Sequence, residues 1–211
     1  MKIIHFINAL GSGGAEKVMY DTINGLDKEF TQEVLVLSVN GIYRDKLGSA
    51  GISVRKLTLK ILMQFLFEPK KNTIIHSYLY RSHAISLIFW LMGYRVLWSV
   101  HGSFYGSPGL FKRAVGVLSK FVPQKIIYVS KYCSEQHNRI GYCKLKEQVI
   151  HNGIDTDSFR RSKLSDIDSS LVPETDAIKI AMVCRFHPIK NYKRFFEIAS
   201  GFVKMEPSVC F

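Results

Sequence analysis

The sequence has few acidic residues. Only 17 Asp and Glu stand against 29 Lys and Arg, which gives a net charge of +12 and a pI near 9.6. Between Glu68 and Glu135 every charged residue is a cation: Lys70, Lys71, Arg81, Arg95, Lys112, Arg113, Lys120, Lys125 and Lys131. This acid-free stretch is either a solvated surface or a surface that faces an anionic partner. The recognition motifs and interleaved aromatic residues of nucleic-acid-binding folds are missing, so we expect no nucleic-acid partner.

Cysteines and long apolar runs are also scarce. The four cysteines form no C-x-x-C pair, which argues against a zinc site, and we expect free thiols in a reducing compartment. The longest apolar run, from Ala84 to Gly93, is about half of the roughly 18 residues that a membrane-spanning helix needs. The apolar start of the chain is too short for a signal peptide. These absences predict a cytoplasmic protein, soluble or peripheral on the membrane.

Apolar strands alternate with amphipathic helices along the chain. This alternation predicts an α/β fold with a mostly parallel sheet that carries helices on both faces. The strands of a first domain, residues 1–160, are expected at Ile3–Asn8, Val34–Val39, Ile52–Leu59, Thr73–His76, Arg95–Val100, Lys125–Val129 and Gln148–His151. The helices are expected near residues 15–26, 82–92, 109–121 and 131–140.

A second, shorter unit is expected after the first domain. Residues 161–177 are Ser- and Asp-rich and lack an apolar period, which is typical of a linker. Residues 178–211 then supply a strand at Ile178–Val183 and a helix near 191–204. We expect them to form only the start of a second domain.

Two glycines stand where the first strand gives way to the first helix. Gly13 and Gly14 would let a bulky anion approach the backbone and the positive end of the helix dipole, although a plain tight turn explains them equally well. The dinucleotide-binding fingerprint is not met, because its third glycine would fall on Glu16 and the second strand ends at Asn40 without an acid. An oxidoreductase is therefore disfavoured.

Two histidines stand at predicted strand ends, where ligands of open α/β sheets bind. His101 directly follows a strand and precedes Gly102, and His76 ends another strand beside Tyr78 and Tyr80. A lone histidine is more often structural, and we expect that role for the remaining ones, His5, His83, His137, His151 and His187.

Two cations flank the start of the last predicted helix. Arg185 follows the strand that begins at Ile178, and Lys190 precedes the helix. Fixed cations in such a place suit a diphosphate, although these two residues alone are more typical of a solvated pair of cations.

Several segments, in a fixed order along the chain, carry a family resemblance: Phe6–Glu16, Ile74–Tyr80, Ser99–Gly102, Ile127–Ser130, Val149–Asp155 and Val183–Lys190. The fifth contains an N-G-I-D turn, and the last is similar to a G-R-L-x-x-x-K loop. Together they resemble glycosyltransferase family four, a group of retaining GT-B enzymes. The resemblance implies two Rossmann-like domains, the second only partly present here.

The resemblance also implies a function. A sugar would pass from a nucleotide-diphosphate sugar to a glycan or lipid-linked acceptor with retention, in surface polysaccharide biosynthesis and without a metal or other cofactor. His101 would face the transferred sugar as the catalytic residue. The donor diphosphate would be bound by Gly13, Gly14, Arg185 and Lys190. The acceptor side would comprise Glu16, His76, Tyr78 and Ser130.

The chain departs from the family pattern at two places. Cys184 stands where the family has a glycine before the donor arginine, and the family's pair of glutamates eight residues apart has no counterpart. We therefore expect the isolated chain to be inactive. A second interpretation stays open, in which the chain is a catalytically silent fragment that binds an acceptor or a membrane, or half of a split enzyme. An anionic membrane surface is a further expected partner, since the acid-free stretch includes a basic amphipathic helix near residues 110–121.

Overall fold

The computed structural model describes residues 1–104, 107–158, 178–184, 186–206 and 209–210. The chain divides into two units, Met1–Ile154 and Asp155–Phe211. The residues predicted to form a linker, 161–177, lie outside the described ones.

Strands and helices alternate through the first unit. Its strands are β1 (Lys2–Ile7), β2 (Thr31–Val36), β3 (Ser53–Lys56), β4 (Thr73–Tyr78), β5 (Arg95–Val100), β6 (Lys125–Tyr128) and β7 (Glu147–Val149). Its helices are α1 (Gly14–Gly25), α2 (Tyr43–Ser49), α3 (Leu59–Phe65), α4 (Tyr80–Leu91), α5 (Leu110–Leu118) and α6 (Lys131–Asn138). One 3₁₀ turn lies at Lys144–Lys146 and another, in the second unit, at Thr156–Ser158.

The seven strands form one parallel sheet in the order β3-β2-β1-β4-β5-β6-β7. A parallel sheet is covered on both faces, so its central strands have to be apolar on both sides. The inner strand β1 meets this requirement, since Ile4, Phe6 and Ile7 are all fully buried. The predicted α/β fold with a parallel, Rossmann-like sheet is therefore confirmed.

Each face of the sheet has its own apolar core. Val34 and Val36 belong to one core and Leu35 to the other, because successive side chains of a strand point to opposite faces. Helices α1 and α2 contribute to the first core, and α3, α4 and α5 to the second. In the second core the rings of Phe65 and Phe89 meet edge to face at 5.0 Å. Helices thus cover both faces, as the alternation predicts.

Two short helices, α2 and α3, were not among the predicted elements. Each has seven residues, too few for a clear 3.6-residue period in the sequence. A local signal exists for α3, because the side chain of Thr58 accepts a hydrogen bond from the backbone N–H of Ile61 at 3.3 Å and so caps the helix. This cap also explains why β3 ends at Lys56 and does not continue to Leu59 as predicted.

A cluster of ion pairs joins β1, β2 and β3 to the segment after α3. Lys2 lies 3.3 Å from Glu33 and 2.9 Å from Glu68, and Arg55 contacts both carboxylates, at 3.0 Å for Glu68. Burial raises the pKa of Glu68, but the hydrogen bonds from Lys2 and Arg55 outweigh it and leave that pKa below its ordinary value. The four side chains are partly buried, so their charges stabilise one another more than those of an exposed pair would.

The second unit contains β8 (Ile178–Lys179), a 3₁₀ turn at Pro188–Lys190, α7 (Tyr192–Met205) and β9 (Val209–Cys210). β8 and β9 pair in parallel. The predicted strand Ile178–Val183 is therefore shorter in the structure, because β9 supplies partners for only two of its residues. No helix in the described parts of either unit is long and apolar enough to cross a membrane.

The loops after β1 and β2 are locked together at Gly41. Leu10 donates a backbone hydrogen bond to Asn40 at 3.3 Å and accepts one from Tyr43 at 3.2 Å. Gly41 has a φ of +136°, and a Cβ at this position would overlap the carbonyl of Leu10. Only glycine fits here, because any side chain would push the two loops apart.

We expect Gly41→Ala to lower the free energy of unfolding by about 2 kcal/mol or more, because of both the clash and the positive φ. Urea unfolding of the purified chain measures this. The matched control is Gly48→Ala, which lies inside α2 with open space around its Cβ position and should be neutral or stabilising by up to about 1 kcal/mol. Equal effects of the two substitutions would contradict the proposed lock.

Candidate functional site

The strand order creates a crevice between β1 and β4. The chain leaves β1 toward β2 and leaves β4 toward β5, so the two loops depart in opposite directions, and ligands of open α/β sheets bind at such a point. Ser82 of α4 donates a hydrogen bond of 2.8 Å to the side-chain oxygen of Asn8, which follows β1. This bond holds the start of α4 beside the loop after β1.

The glycine loop, residues 11–14, leads from β1 into α1. Gly13 precedes the first turn of the helix, and a Cβ added there would overlap the carboxylate of Glu16. A Cβ at Gly14 would meet no atom within 4 Å. The Glu16 carboxylate therefore lies near the positive end of the α1 dipole, where a bound anion would also be favoured. An anion that enters this loop has to compete with Glu16.

His101 directly follows β5. Both ring nitrogens are buried, and no residue of the described chain forms a hydrogen bond with them. Burial lowers the pKa of His101 to about 4. The imidazole is therefore neutral at pH 7, with one N–H to donate and one nitrogen to accept a hydrogen bond.

The backbone around His101 is held firmly. Gly102 has a φ of +92°, a conformation that residues with side chains rarely adopt, so the turn after His101 depends on glycine. The thiol of Cys133 donates to the carbonyl of Gly102 at 3.3 Å. Strand β5 and this turn thus fix the backbone position of His101.

The structure brings His101 together with two other predicted site residues, Tyr78 and His76. The rings of Tyr78 and His101 stack with centroids 5.5 Å apart and an interplanar angle of 14°. The ring of His76 lies 4.3 Å from that of Tyr78. Tyr78 is only 1% exposed and His76 8% exposed. Both side chains therefore lie beneath the surface of the crevice.

Tyr78 belongs to a buried chain of hydrogen bonds whose direction is determined. The amide nitrogen of Gln32 donates to the carbonyl of Ile23 at 3.0 Å, so the amide oxygen is left to accept from His5 Nε2 at 3.0 Å. His5 Nδ1 then accepts from the hydroxyl of Tyr78 at 3.2 Å. The Tyr78 oxygen accepts from His76 Nδ1 at 3.0 Å. Each histidine in the chain is thereby held in one neutral tautomer.

Ser99 ends this chain on β5. Its hydroxyl donates to His76 Nε2 at 2.7 Å. Burial lowers the pKa of His5 to about 4 against the opposing effect of the Gln32 hydrogen bond, and burial also places the pKa of His76 well below its ordinary value. The chain is therefore uncharged at pH 7.

Leu79, between Tyr78 and α4, has an unusual backbone conformation. Its φ of 71° and ψ of 155° lie in a region that is normally populated by glycine. Such a conformation costs about 1–3 kcal/mol and persists only where the surroundings enforce it. The backbone between β4 and α4 is therefore held in place by the structure around Leu79.

A cluster of aromatic rings around Lys112 was not predicted from the sequence. The ammonium of Lys112 lies 5.2 Å from the ring centre of Tyr80 and 5.0 Å from that of Phe104. Tyr80 donates a hydrogen bond of 2.6 Å to His137 Nε2, because His137 Nδ1 donates to the carbonyl of Cys133 at 2.7 Å. The sequence could have pointed to this cluster, because Tyr80 and Phe104 come shortly after two strand ends, and such positions line the crevices of open α/β sheets.

The remaining predicted site residues belong to different parts of the chain. Ser130 follows β6 and caps α6, since its hydroxyl accepts from the backbone N–H of Cys133 at 3.1 Å. Lys190 is exposed at the end of its 3₁₀ turn in the second unit. Arg185 lies outside the described residues. The roles predicted for these residues stay predictions.

The buried histidines predict a loss of stability in acid. Burial lowers the pKa of His83 to about 3 against two opposing hydrogen bonds to carbonyls, so the unfolded chain takes up protons at a higher pH than the folded chain does. The free energy of unfolding should therefore fall from about pH 6.5 toward pH 4, by up to about 1.4 kcal/mol per pH unit for each such histidine.

Urea unfolding of His83→Phe at about pH 7.5 and about pH 5 tests this expectation. The phenyl ring keeps the stack on Trp98, which His83 forms at 4.6 Å, but cannot be protonated. The variant's loss of stability between the two pH values should be about 1–2 kcal/mol smaller than that of the wild type. Ser86→Ala is the control, since it removes the hydroxyl that bonds the His83 carbonyl without removing a titrating group. Parallel pH curves for His83→Phe and wild type would contradict the prediction.

The sequence model of Glycosyltransferase Family 4 matches residues 12–158, more than half of the chain. No curated protein is similar in sequence at a significant level.

Several solved structures are similar in fold. HepE from Anabaena in complex with UDP and glucose has a TM-score of 0.81 at 16% identity, over 99% of this chain and 59% of that one. HepE in complex with UDP-glucose has a TM-score of 0.74 at 18% identity, over 89% of this chain and 54% of HepE. A glycosyltransferase from Rickettsia africae has a TM-score of 0.68 at 18% identity, over 97% of this chain and 57% of that one. This chain thus spans less than two thirds of the length of each.

Proposed function

The chain belongs to Glycosyltransferase Family 4, and we propose that it transfers a hexose from a nucleotide-diphosphate sugar to a glycan or lipid-linked acceptor, with retention, in surface polysaccharide biosynthesis. The observation that carries this proposal is the neutral side chain of His101 at the carboxyl end of β5, with two buried ring nitrogens that no described residue uses. A buried polar group without a partner is costly unless a ligand satisfies it. A sugar hydroxyl can both accept and donate a hydrogen bond there.

Two groups of residues would bind the donor diphosphate. Gly13 and Gly14 stand at the start of α1, where the first N–H groups of a helix have no partner within the helix, and Gly14 has open space beside it. Arg185 and Lys190 would neutralise the charge that develops on the departing diphosphate, so we propose that no metal or other cofactor is needed. That HepE forms complexes with UDP and UDP-glucose supports a donor of this class.

The acceptor would lie on the first unit. Glu16 is partly exposed beside the glycine loop, and Ser130 is partly exposed after β6, so both are accessible at the carboxyl-end edge of the sheet. Because His76 and Tyr78 are buried, we propose that they support the acceptor side from beneath the surface and do not contact the acceptor themselves.

A second interpretation is that the chain acts as a catalytically silent acceptor- or membrane-binding module, or as half of a split enzyme. The observation that favours a membrane-binding module is that Leu110, Phe111 and Val117 of α5 are exposed. A neighbouring reading frame that encodes the family's pair of glutamates would support a split enzyme.

Nucleotide binding tests the proposed function. UDP should raise the melting temperature of the chain, and Glu16→Gln should strengthen the binding by about three- to tenfold, because a carboxylate no longer competes with the phosphates at α1. Asp21→Asn is the control on the same helix, where Asp21 pairs with Lys17 and not with the loop. Thermal shift and titration calorimetry measure both effects.

Uridine without phosphates should bind more weakly than UDP. If no nucleoside diphosphate binds, or if uridine and UDP bind equally, the donor site proposed at the glycine loop is wrong.

We also propose that the protein is cytoplasmic and binds the inner face of the membrane through α4 and α5. Val115 of α5 is buried, whereas Leu110, Phe111, Val117 and Phe121 on and after this helix are at least half exposed. Leu91 and Trp90 of α4, which packs against α5, are exposed as well. Arg113 and Lys120 flank these apolar side chains, and no acid lies nearby in sequence. Apolar side chains bordered by cations suit an anionic lipid surface.

Vesicle sedimentation tests this binding. The chain should bind vesicles that contain phosphatidylglycerol, and Arg113→Ser with Lys120→Ser should weaken binding about tenfold or more, since each cation contributes about 1 kcal/mol. The matched control replaces Lys28 and Arg44 with Ser, which removes the same charge from other exposed positions. Binding should fall between low and physiological salt. Equal binding to neutral vesicles, or equal effects of the two double variants, would contradict the proposal.

A further inference from the structure

Within the described chain, an aromatic stack bears on the orientation of the His101 ring. The strand and Gly102 fix its backbone, but no hydrogen bond in the described chain holds the ring itself. The ring of Tyr78 stacks on the imidazole, with the ring centroids 5.5 Å apart and an interplanar angle of 14°. A nearly parallel ring at this distance restricts how the imidazole can tilt and turn.

The ring of Tyr78 is itself immobilised. Its hydroxyl is hydrogen-bonded on two sides, to His5 Nδ1 at 3.2 Å and to His76 Nδ1 at 3.0 Å. These partners sit on two neighbouring strands, because β1 pairs with β4 so that His5 lies opposite His76. The next residue, Leu79, has the enforced backbone conformation that ends β4. Tyr78 therefore cannot slide or rotate without breaking bonds that are shielded from water.

We propose that Tyr78 is a positioning residue, which holds the His101 imidazole by stacking while its hydrogen bonds with His5 and His76 hold Tyr78 itself. This inference rests on the proposed function for its significance, since His101 is the group that would face the transferred sugar. It assigns Tyr78 a role other than acceptor contact. The ring nitrogens of His101 stay available to substrate because stacking uses the face of the imidazole and leaves its edge unoccupied.

The arrangement also explains why a tyrosine and two histidines are buried at the end of β4. An apolar core residue would fill the space without hydrogen bonds, but nothing would then fix its rotation. The hydroxyl, by contrast, ties the ring to β1 and, through His76, to Ser99 on β5. The three strands β1, β4 and β5 thus jointly set the plane on which His101 rests.

Nuclear magnetic resonance of the full chain with ¹³C-labelled histidine tests the proposal without donor or acceptor. The chain has seven histidines, and the signals missing from His101→Gln identify those of His101. In the wild type the ring protons of His101 should be shifted by the aromatic face of Tyr78. In Tyr78→Leu, which keeps a buried apolar side chain but removes the ring, they should move most of the way to the position seen in the unfolded chain and broaden.

Two further variants separate positioning from general damage to the core. Tyr78→Phe keeps the stacked ring but loses the hydroxyl that fixes it, so the His101 signals should move, and by clearly less than in Tyr78→Leu. Tyr94→Leu removes a different buried tyrosine, whose hydroxyl bonds the carbonyl of Phe65 and whose ring does not stack on His101. This control should leave the His101 signals unmoved.

The proposal is overturned if the His101 signals of Tyr78→Leu match those of the wild type, or if Tyr94→Leu moves them equally. A shift in Tyr78→Phe as large as that in Tyr78→Leu would also overturn it, because the stack would then not be the cause. Nucleotide binding is measured separately, so failure of the proposed function and failure of this inference are distinguishable.

Discussion

The parallel pairing of β1 with β4 is the interaction on which the rest of the site depends. It is the point where the strand order reverses, so it opens the crevice between the loops that follow these strands. Its register also sets His5 opposite His76 across the sheet. A shift of one residue would turn His5 and His76 to opposite faces and separate His5 from both His76 and Tyr78. The crevice and its buried support therefore arise from one set of backbone hydrogen bonds.

The sheet was predictable because its pattern is strong and repeated. Apolar strands alternating with amphipathic helices leave few alternatives to a parallel α/β sheet, and β5 matches its predicted range, Arg95–Val100, at both ends. Helices α2 and α3 were not predicted, because seven residues give little periodicity and their stability comes from tertiary packing of Leu47 and Phe65. The length of β8 depends on its partner β9, and a local pattern carries no information about a partner far along the chain.

The candidate site was predictable only in part. His101, His76 and Tyr78 could be selected because they stand at strand ends, and the structure brings them together. That His5 joins them could not be read from the sequence, because it depends on the register between two strands about 70 residues apart. The position of the Glu16 carboxylate above Gly13 depends on a side-chain rotamer, which sequence patterns do not specify. The cluster of Lys112 with Tyr80 and Phe104 likewise requires that α5 be placed against two strand ends.

The hydrogen bonds from Ser99 to Gln32 all run in one direction. The residues that form them are therefore coupled, although they lie far apart in the sequence. Each residue donates its hydrogen bond toward the Gln32 end of the chain. Reversal of these bonds would turn the Gln32 amide oxygen toward the carbonyl oxygen of Ile23. Loss of any one member leaves a buried neighbour unsatisfied, whereas loss of a second member then costs much less. Substitutions along this chain are therefore not additive. His5, Tyr78 and His76 are expected to change together or not at all as sequences diverge, even though no two of them are adjacent in the sequence.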